Sequence, residues 1–183
     1  RYGLSSKNTT PSMIKAVFDF LDTREVHSNF TVGIVDDVTN LSIPYDEKFM
    51  LPSNNIEFLI YGYGSDGMVS ASKDIMKITG TYSNAYVQGY YQYDSKKSGG
   101  ITISHLRFGK KPIRSTYYVE RASFVVCTKD SYIKRLKMLD KIKEDGIFIL
   151  NTSMSADEVL ASMSNHDKQI LQKKNIKIFI VEI

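Results

Sequence analysis

One stretch, residues 56–79, constrains the fold more than any other. Ile56 to Tyr61 has the composition of a buried strand, Gly62 to Gly67 of a turn, and Met68 to Thr79 of an amphipathic helix. The glycines fall as Gly62-x-Gly64-x-x-Gly67. That is the shape of a phosphate-binding turn: three glycines let the backbone reverse tightly and approach an anion. The unpaired N–H groups and positive end of the following helix can then hold it. Glycine triplets also arise by chance, so the weight comes from the setting between an apolar strand and a helix of apolar period.

Strand and helix patterns alternate from there to residue 183. Strands are expected over Ala85–Tyr93, Ile101–Phe108, Ala122–Cys127, Ile147–Leu150 and Ile176–Val181. Helices are expected over Ser131–Lys143, Ser155–Met163 and Asp167–Lys174. In the first of these, Ile133, Leu136, Leu139 and Ile142 recur at helical spacing and Gly146 reads as a stop. Several strands are apolar throughout, as in a parallel sheet covered on each side. The fold class is therefore α/β: a three-layer, Rossmann-like, mostly parallel sheet with helices on both faces.

Upstream, Thr10-Pro11 reads as a helix start before the apolar face of Met13, Ile14, Val17, Phe18 and Leu21. Phe30–Val35 reads as a short strand and Asp36-Asp37 as a turn former rather than a metal or acid–base pair. The connection Asn40–Pro52 places a domain boundary, giving domains 1–50 and 51–183.

Composition narrows the function classes. Hydrophobic residues at 42% and charged residues at 24% suit a globular core, and no apolar run reaches the roughly 20 residues of a membrane span. The single cysteine, Cys127 in an apolar strand, excludes an internal disulfide and a multi-cysteine metal or iron–sulfur site in this piece. A net charge of +4 suits an anionic ligand but is far from a nucleic-acid binder's dense basic patch. The polar start without Met and the strand at the end predict an excised piece of a longer, cytoplasmic polypeptide.

In such a sheet ligands bind at the carboxyl ends of strands, where the strand order reverses. Two loops belong there: Gly62–Gly67 and Asp94–Gly100, the second carrying Lys96 and Lys97. A phosphorylated adenine nucleotide fits the pair, with the diphosphate on the glycine turn. Asp94 is a candidate ribose ligand for NAD, but the adjacent lysines favour a phosphorylated ribose, which leaves NADP or coenzyme A. Asp66 is awkward beside a bare diphosphate; it must point away, accept from a backbone N–H, or meet a ligand hydroxyl or amine. His105 is a weak catalytic candidate and Arg107 a better one for a phosphate contact. The residues alone leave a free-standing NAD(P)-binding dehydrogenase domain open.

Gly62-Tyr-Gly-Ser-Asp-Gly-Met-Val69, Tyr90-Tyr-Gln-Tyr-Asp-Ser-Lys-Lys-Ser-Gly-Gly100 and Ile101-Thr-Ile-Ser-His-Leu-Arg-Phe-Gly109 resemble pyruvate:ferredoxin (flavodoxin) oxidoreductase. Arg1-Tyr-Gly-Leu-Ser-Ser-Lys7 and Phe30–Thr39 resemble the stretch just upstream in that family. The resemblance implies a homodimeric parent that decarboxylates pyruvate on thiamine diphosphate and Mg, passes electrons through 4Fe-4S clusters to ferredoxin or flavodoxin, and leaves the acyl group on coenzyme A. This chain would be the tail of a transketolase-C-like domain followed by most of the gamma-type, coenzyme A-binding domain, partnered by the parent's other domains. Carried over by motif, Gly64, Ser65, Asp66, Gly67 and Met68 line the coenzyme and Lys96 contacts it. Met68 stands where the family usually has Thr, which implies a lost hydroxyl contact and a surviving backbone N–H. The family's Gly-Arg-Ile-Asn stretch, the thiamine-binding segments and the cluster cysteines are absent here, so the piece alone is expected to do no redox chemistry.

Overall fold

The computed structural model describes residues 8–34, 37–94 and 100–182. The chain forms two compact units, Arg1–Ser53 and Asn54–Ile183.

In the first unit, helix α1 (Pro11–Leu21) begins where Thr10 Oγ1 accepts from the Met13 N–H at 3.3 Å, with Pro at the first turn. Met13, Ala16 and Val17 pack on Val32 and Ile43. Those two lie on strands of two residues each, β1 (Thr31–Val32) and β2 (Ser42–Ile43), paired in parallel. Of the longer strand expected over Phe30–Val35, only Thr31–Val32 forms among the described residues. Asn29 and Gly33, at φ 65° and 73°, turn the backbone on either side of β1. Asp37 accepts from the Thr39 N–H and hydroxyl and from the Ser42 N–H, which makes it a turn former. The Thr39 hydroxyl is the main cause holding its carboxyl below the usual range. Asp36 lies outside the described residues.

The second unit contains β3 (Ile56–Tyr63), α2 (Met68–Tyr82), β4 (Tyr86–Tyr93), β5 (Ile101–Gly109), β6 (Ala122–Cys127), β7 (Ile142–Asn151), α3 (Ala156–Ser162), α4 (Asn165–Lys173) and β8 (Lys177–Val181). The six strands form one sheet in the order β4-β5-β3-β6-β7-β8. β3, β6, β7 and β8 run parallel, whereas β5 is antiparallel to both β3 and β4. The sheet is thus mixed and mostly parallel.

Successive strand residues point to opposite faces, and the two faces are covered differently. Leu59, Val125, Phe148 and Leu150 are buried on one face with Val159 and Met163, and the α4 residues Ile170 and Leu171 pack against the same cluster. Phe58 points to the other face, its ring stacked on Phe124 at 4.5 Å and edge-on to Phe108 at 5.4 Å. There α2 packs on β3, β4 and β5. Gly89 lets the helix approach, because a Cβ at that position would meet the Met76 methyl at 2.6 Å. Over β6–β8 the cover on the Phe58 face thins: Phe124, Val126, Ile147 and Ile149 are half-buried, and Phe179 is 51% exposed.

One expected element is replaced. Ser131–Lys143 is not an α-helix; short 3-10 turns occupy Asp130–Tyr132 and Leu139–Lys141, and β7 starts already at Ile142. Ile133, Leu139 and Ile142 are buried as the pattern demands and Leu136 partly so, but 3-10 turns satisfy an i, i+3 spacing equally well. Ile142 instead pairs with Ala122 across the sheet. Gly146 is not a helix stop either. It lies inside β7, where a Cβ would meet Ile142 Cγ2 at 2.4 Å and the Ser123 carbonyl at 3.2 Å, beside a register shift between Ala122 and Phe124.

Candidate functional site

The glycine turn sits at the carboxyl end of β3 and is closed by hydrogen bonds to both neighbouring strands. Asp66 N–H donates to the Tyr63 carbonyl at 3.1 Å, forming a four-residue turn with Ser65 at φ 77°. This is the type II geometry, which favours Gly or Asn at that position; Ser there costs on the order of 1 kcal/mol. Gly67, at φ 79°, caps α2 from the left-handed region, and a Cβ on it would have no atom within 4 Å. Gly64 N–H donates to the Gly100 carbonyl at 2.8 Å, which ties the turn to the start of β5. Thr128 N–H donates to the Tyr61 carbonyl at 3.0 Å, which ties β3 to the end of β6.

Asp66 is the strut inside this turn. Its Oδ2 accepts from the Tyr63 N–H at 2.8 Å and the Thr128 hydroxyl at 3.1 Å, and its Oδ1 accepts from the Met68 N–H at 2.9 Å. Of the options open to Asp66 from the sequence, acceptance from backbone N–H groups is the one realised. Gly62 makes room for it, since a Cβ there would stand 2.5 Å from Oδ2. The Met68 N–H, read from the motif as a ligand contact, is therefore engaged by Asp66. The next amides, of Val69 and Ser70, belong to the first turn of α2 and have no intrahelical acceptor. They form the positive end of the helix dipole. A cavity of about 450 Å³ opens here, lined by residues 63–67, Val69, Ser70, Tyr93 and Thr102.

Gly64, Ser65, Asp66, Gly67 and Met68 thus form one contiguous rim. Lys96, with Lys97, lies outside the described residues. The ends of its loop lie at the same sheet edge: Tyr93 pairs with Thr102, and Asp94 N–H donates to the Ile101 carbonyl at 3.0 Å.

His105 and Arg107 are not brought to this rim. Arg107 pairs in register with Glu57 toward the opposite end of β3. Its Nε donates to Glu57 Oε1 at 2.9 Å, its Nη1 to Gln88 Oε1 at 3.1 Å, and the guanidinium lies 4.9 Å from the Tyr117 ring centroid. Lys143 donates to the other Glu57 oxygen at 2.9 Å. Arg107 is a buried sheet cation, not a phosphate contact, and the signal for it was Glu57, a carboxylate within an otherwise apolar strand. His105 stacks on Tyr118 at 4.5 Å and its Nδ1 accepts from the Val119 N–H at 3.1 Å. Burial, then the charges of Lys141 and Arg107, push it down to about 3, so it is a neutral structural imidazole at pH 7. Cys127 is fully buried, its thiol pushed up to about 11 by burial.

The sequence reading missed Thr128, Thr102 and Tyr93. The available signal was positional: Thr128 directly follows the apolar β6, Tyr93 ends β4 and Thr102 opens β5, all on the edge that the glycine turn marks. Among the described residues, no group of three or more His, Cys, Asp or Glu side chains is disposed to hold a metal ion. No helix among them is long and apolar enough to cross a membrane.

Fold and turn together define an α/β domain that presents a glycine-rich turn at the carboxyl edge of its parallel strands. The family model described as pyruvate ferredoxin/flavodoxin oxidoreductase matches residues 57–183, and the chain belongs to that family of pyruvate-metabolism oxidoreductases. It is 46% identical over 181 residues to a probable pyruvate-flavodoxin oxidoreductase of Escherichia coli K12, covering 99% of this chain and 15% of that protein. It is 45% identical over 183 residues to the pyruvate:ferredoxin oxidoreductase of Moorella thermoacetica, covering 100% of this chain and 16% of that one. The chain therefore spans about 15% of the length of such relatives. Among solved structures, subunit PORC of the Thermotoga maritima pyruvate oxidoreductase shares the fold, with a TM-score of 0.55 at 21% identity over 71% of this chain and 63% of that one.

Proposed function

We propose that this chain is the coenzyme A-binding module of a pyruvate:ferredoxin/flavodoxin oxidoreductase, with the glycine turn as its ligand cradle. The observation that carries this reading is the start of α2: free first-turn amides and a Cβ-less Gly67 open onto a cavity at the carboxyl edge of β3. A diphosphate lies against Gly64, Ser65, Gly67 and the Val69 and Ser70 amides. Asp66 acts from within by holding the turn, and Met68 borders the ligand through its backbone. Lys96, with Lys97, takes a further phosphate. The motif resemblance to the oxidoreductase supports coenzyme A over a nicotinamide dinucleotide.

At the scale of the parent, pyruvate is decarboxylated with thiamine diphosphate, two electrons leave through iron–sulfur clusters to ferredoxin or flavodoxin, and the coenzyme A thiol receives the acyl group. The present residues contribute binding and orientation of the coenzyme in a cytoplasmic, homodimeric enzyme. Residues 1–50 are the tail of its transketolase-C-like domain and 51–183 most of its gamma-type domain. Calorimetric titration of the chain with coenzyme A, 3′-dephospho-coenzyme A, NADP and NAD tests the reading. Coenzyme A is expected to bind, more tightly than its dephospho form, and Lys96→Ala to remove that difference. Tight NAD binding without coenzyme A binding refutes it.

A further inference from the structure

Two threonines stand beside the glycine turn, and their hydroxyls are used differently. That of Thr128 is engaged within the protein, 3.1 Å from Asp66 Oδ2 and 3.3 Å from the Tyr61 carbonyl. That of Thr102 makes no hydrogen bond among the described residues, although Thr102 is only 7% exposed. Among those residues, the partnerless side-chain polar atoms that are sealed off belong to Thr31, Tyr91 and Arg107. Thr102 Oγ1 is not one of them, and Thr102 lines the cavity at the start of α2. Its hydroxyl is therefore set deep in the protein yet open to that cavity.

The sheet register explains this position. Ile101 and Ile103 pack toward the Leu59 cluster, so Thr102 points to the opposite face, the one on which α2 packs. Thr102 pairs with Gly62 of β3 on one side and with Tyr93 of β4 on the other, making one row across the sheet. Gly62 leaves the row uncrowded, since a Cβ there would stand 3.1 Å from Thr102 Oγ1. Val69 and Ser70 border the same cavity, and their amides have no intrahelical acceptor.

A buried hydroxyl without a partner is unfavourable, and valine would give a strand the same shape without that cost. The carboxylate of Asp66 already has three donors, so the hydroxyl hydrogen of Thr102 is left for a group outside the protein. The two helix amides are donors as well. A cavity bordered by three unengaged donors suits an oxyanion, and a phosphate has oxygens enough to accept from each.

We propose that Thr102 is a ligand-binding residue of the glycine-turn site, its hydroxyl donating to a phosphate oxygen of the bound ligand. That the ligand is coenzyme A rests on the reading above; the contact itself is testable with a simpler anion. Inorganic pyrophosphate and coenzyme A are titrated calorimetrically into this chain, Thr102→Val and Thr102→Ser, and urea unfolding of each is followed without ligand. Thr102→Val is expected to weaken both ligands by about tenfold to a hundredfold, as for loss of one hydrogen bond to a charged group. Thr102→Ser should keep most of the affinity. Unliganded Thr102→Val should unfold at the wild-type urea midpoint or above it, because the hydroxyl it loses has no partner in the protein. A lower midpoint, with or without a change in affinity, shows the hydroxyl to be bonded within the fold and overturns the inference. Coenzyme A binding that is unchanged in Thr102→Val overturns it too, while leaving the coenzyme reading standing. Pyrophosphate binding that depends on Thr102, without any binding of coenzyme A, upholds the contact and refutes the coenzyme reading. Failure of the wild type to bind either ligand refutes both.

Discussion

The fit of Gly62 around the Asp66 carboxylate predicts a reversal of sign in a double-mutant cycle. On backbone grounds Gly62→Ala should help, because glycine inside a strand costs roughly 0.5–1 kcal/mol relative to alanine. The added Cβ, however, would stand 2.5 Å from Asp66 Oδ2 and 3.1 Å from Thr102 Oγ1. The carboxylate cannot retreat without releasing the Tyr63 and Met68 N–H groups that it holds at 2.8 and 2.9 Å. Overpacking of this kind costs about 1–3 kcal/mol, so Gly62→Ala should destabilise by roughly 0.5–2 kcal/mol after the backbone gain is subtracted. Asp66→Ala alone should cost about 2–3 kcal/mol, through a lost cap-like bond at the start of α2, a stranded Tyr63 N–H and a lost partner for Thr128. In the Asp66→Ala background the main obstacle is gone. Gly62→Ala should there be neutral or stabilising by up to about 0.5 kcal/mol. Urea unfolding of the four proteins, followed by tryptophan-independent far-UV circular dichroism, measures each corner, and unchanged slopes confirm that the same surface unfolds in all. Additive costs within about 0.5 kcal/mol would refute the claim that Asp66 occupies the space Gly62 leaves.

Two further predictions rest on β5 and its neighbours. Glu57→Ala strands a buried guanidinium and removes the Lys143 partner, so it should destabilise by about 3–5 kcal/mol in the same assay; a loss below 1 kcal/mol would contradict the buried network. His105 has its pKa lowered from 6.5 to about 3 in the fold, so the unfolded chain takes up a proton that the folded chain refuses between those values. Stability should therefore fall as pH drops through that window, by up to about 1.4 kcal/mol per pH unit from this one group. His105→Gln should flatten the profile by that amount relative to wild type, and identical slopes would show the imidazole to be protonated in the fold.

Where the sequence was legible, the reason is periodicity that one interaction alone decides. Continuous apolar runs such as Phe58–Tyr61 and Val125–Cys127 fill buried and half-buried positions in the sheet, and the alternation of Gln88 and Gln92 with Val87 and Gly89 places the glutamines toward Arg107 and His105. The helix start at Thr10 was legible because a cap is a local hydrogen bond. Tertiary competition hid the rest. Residues 131–142 bury the side chains a helix would bury, but β6 captures Ile142 as a strand partner. Arg107 looked like a phosphate ligand because sequence spacing does not show which end of an antiparallel strand faces the glycine turn. Its partner Glu57 lies 50 positions away in the chain.

The same limit explains why Asp66 looked out of place in an anion turn. In sequence it is a negative charge among glycines; in the fold three donors face its carboxylate, two of them the backbone amides of Tyr63 and Met68. The turn therefore has fewer free amides than a bare glycine loop and carries a half-buried carboxylate beside them, which lowers its intrinsic attraction for phosphate. Compensation must come from cations outside the turn. Lys96 and Lys97 follow Asp94 in the sequence. On the coenzyme A proposal, such a turn gains most from a ligand with a further phosphate that cations outside the turn can meet. On that proposal, the position of a single carboxylate favours a multiply phosphorylated coenzyme over a simple dinucleotide.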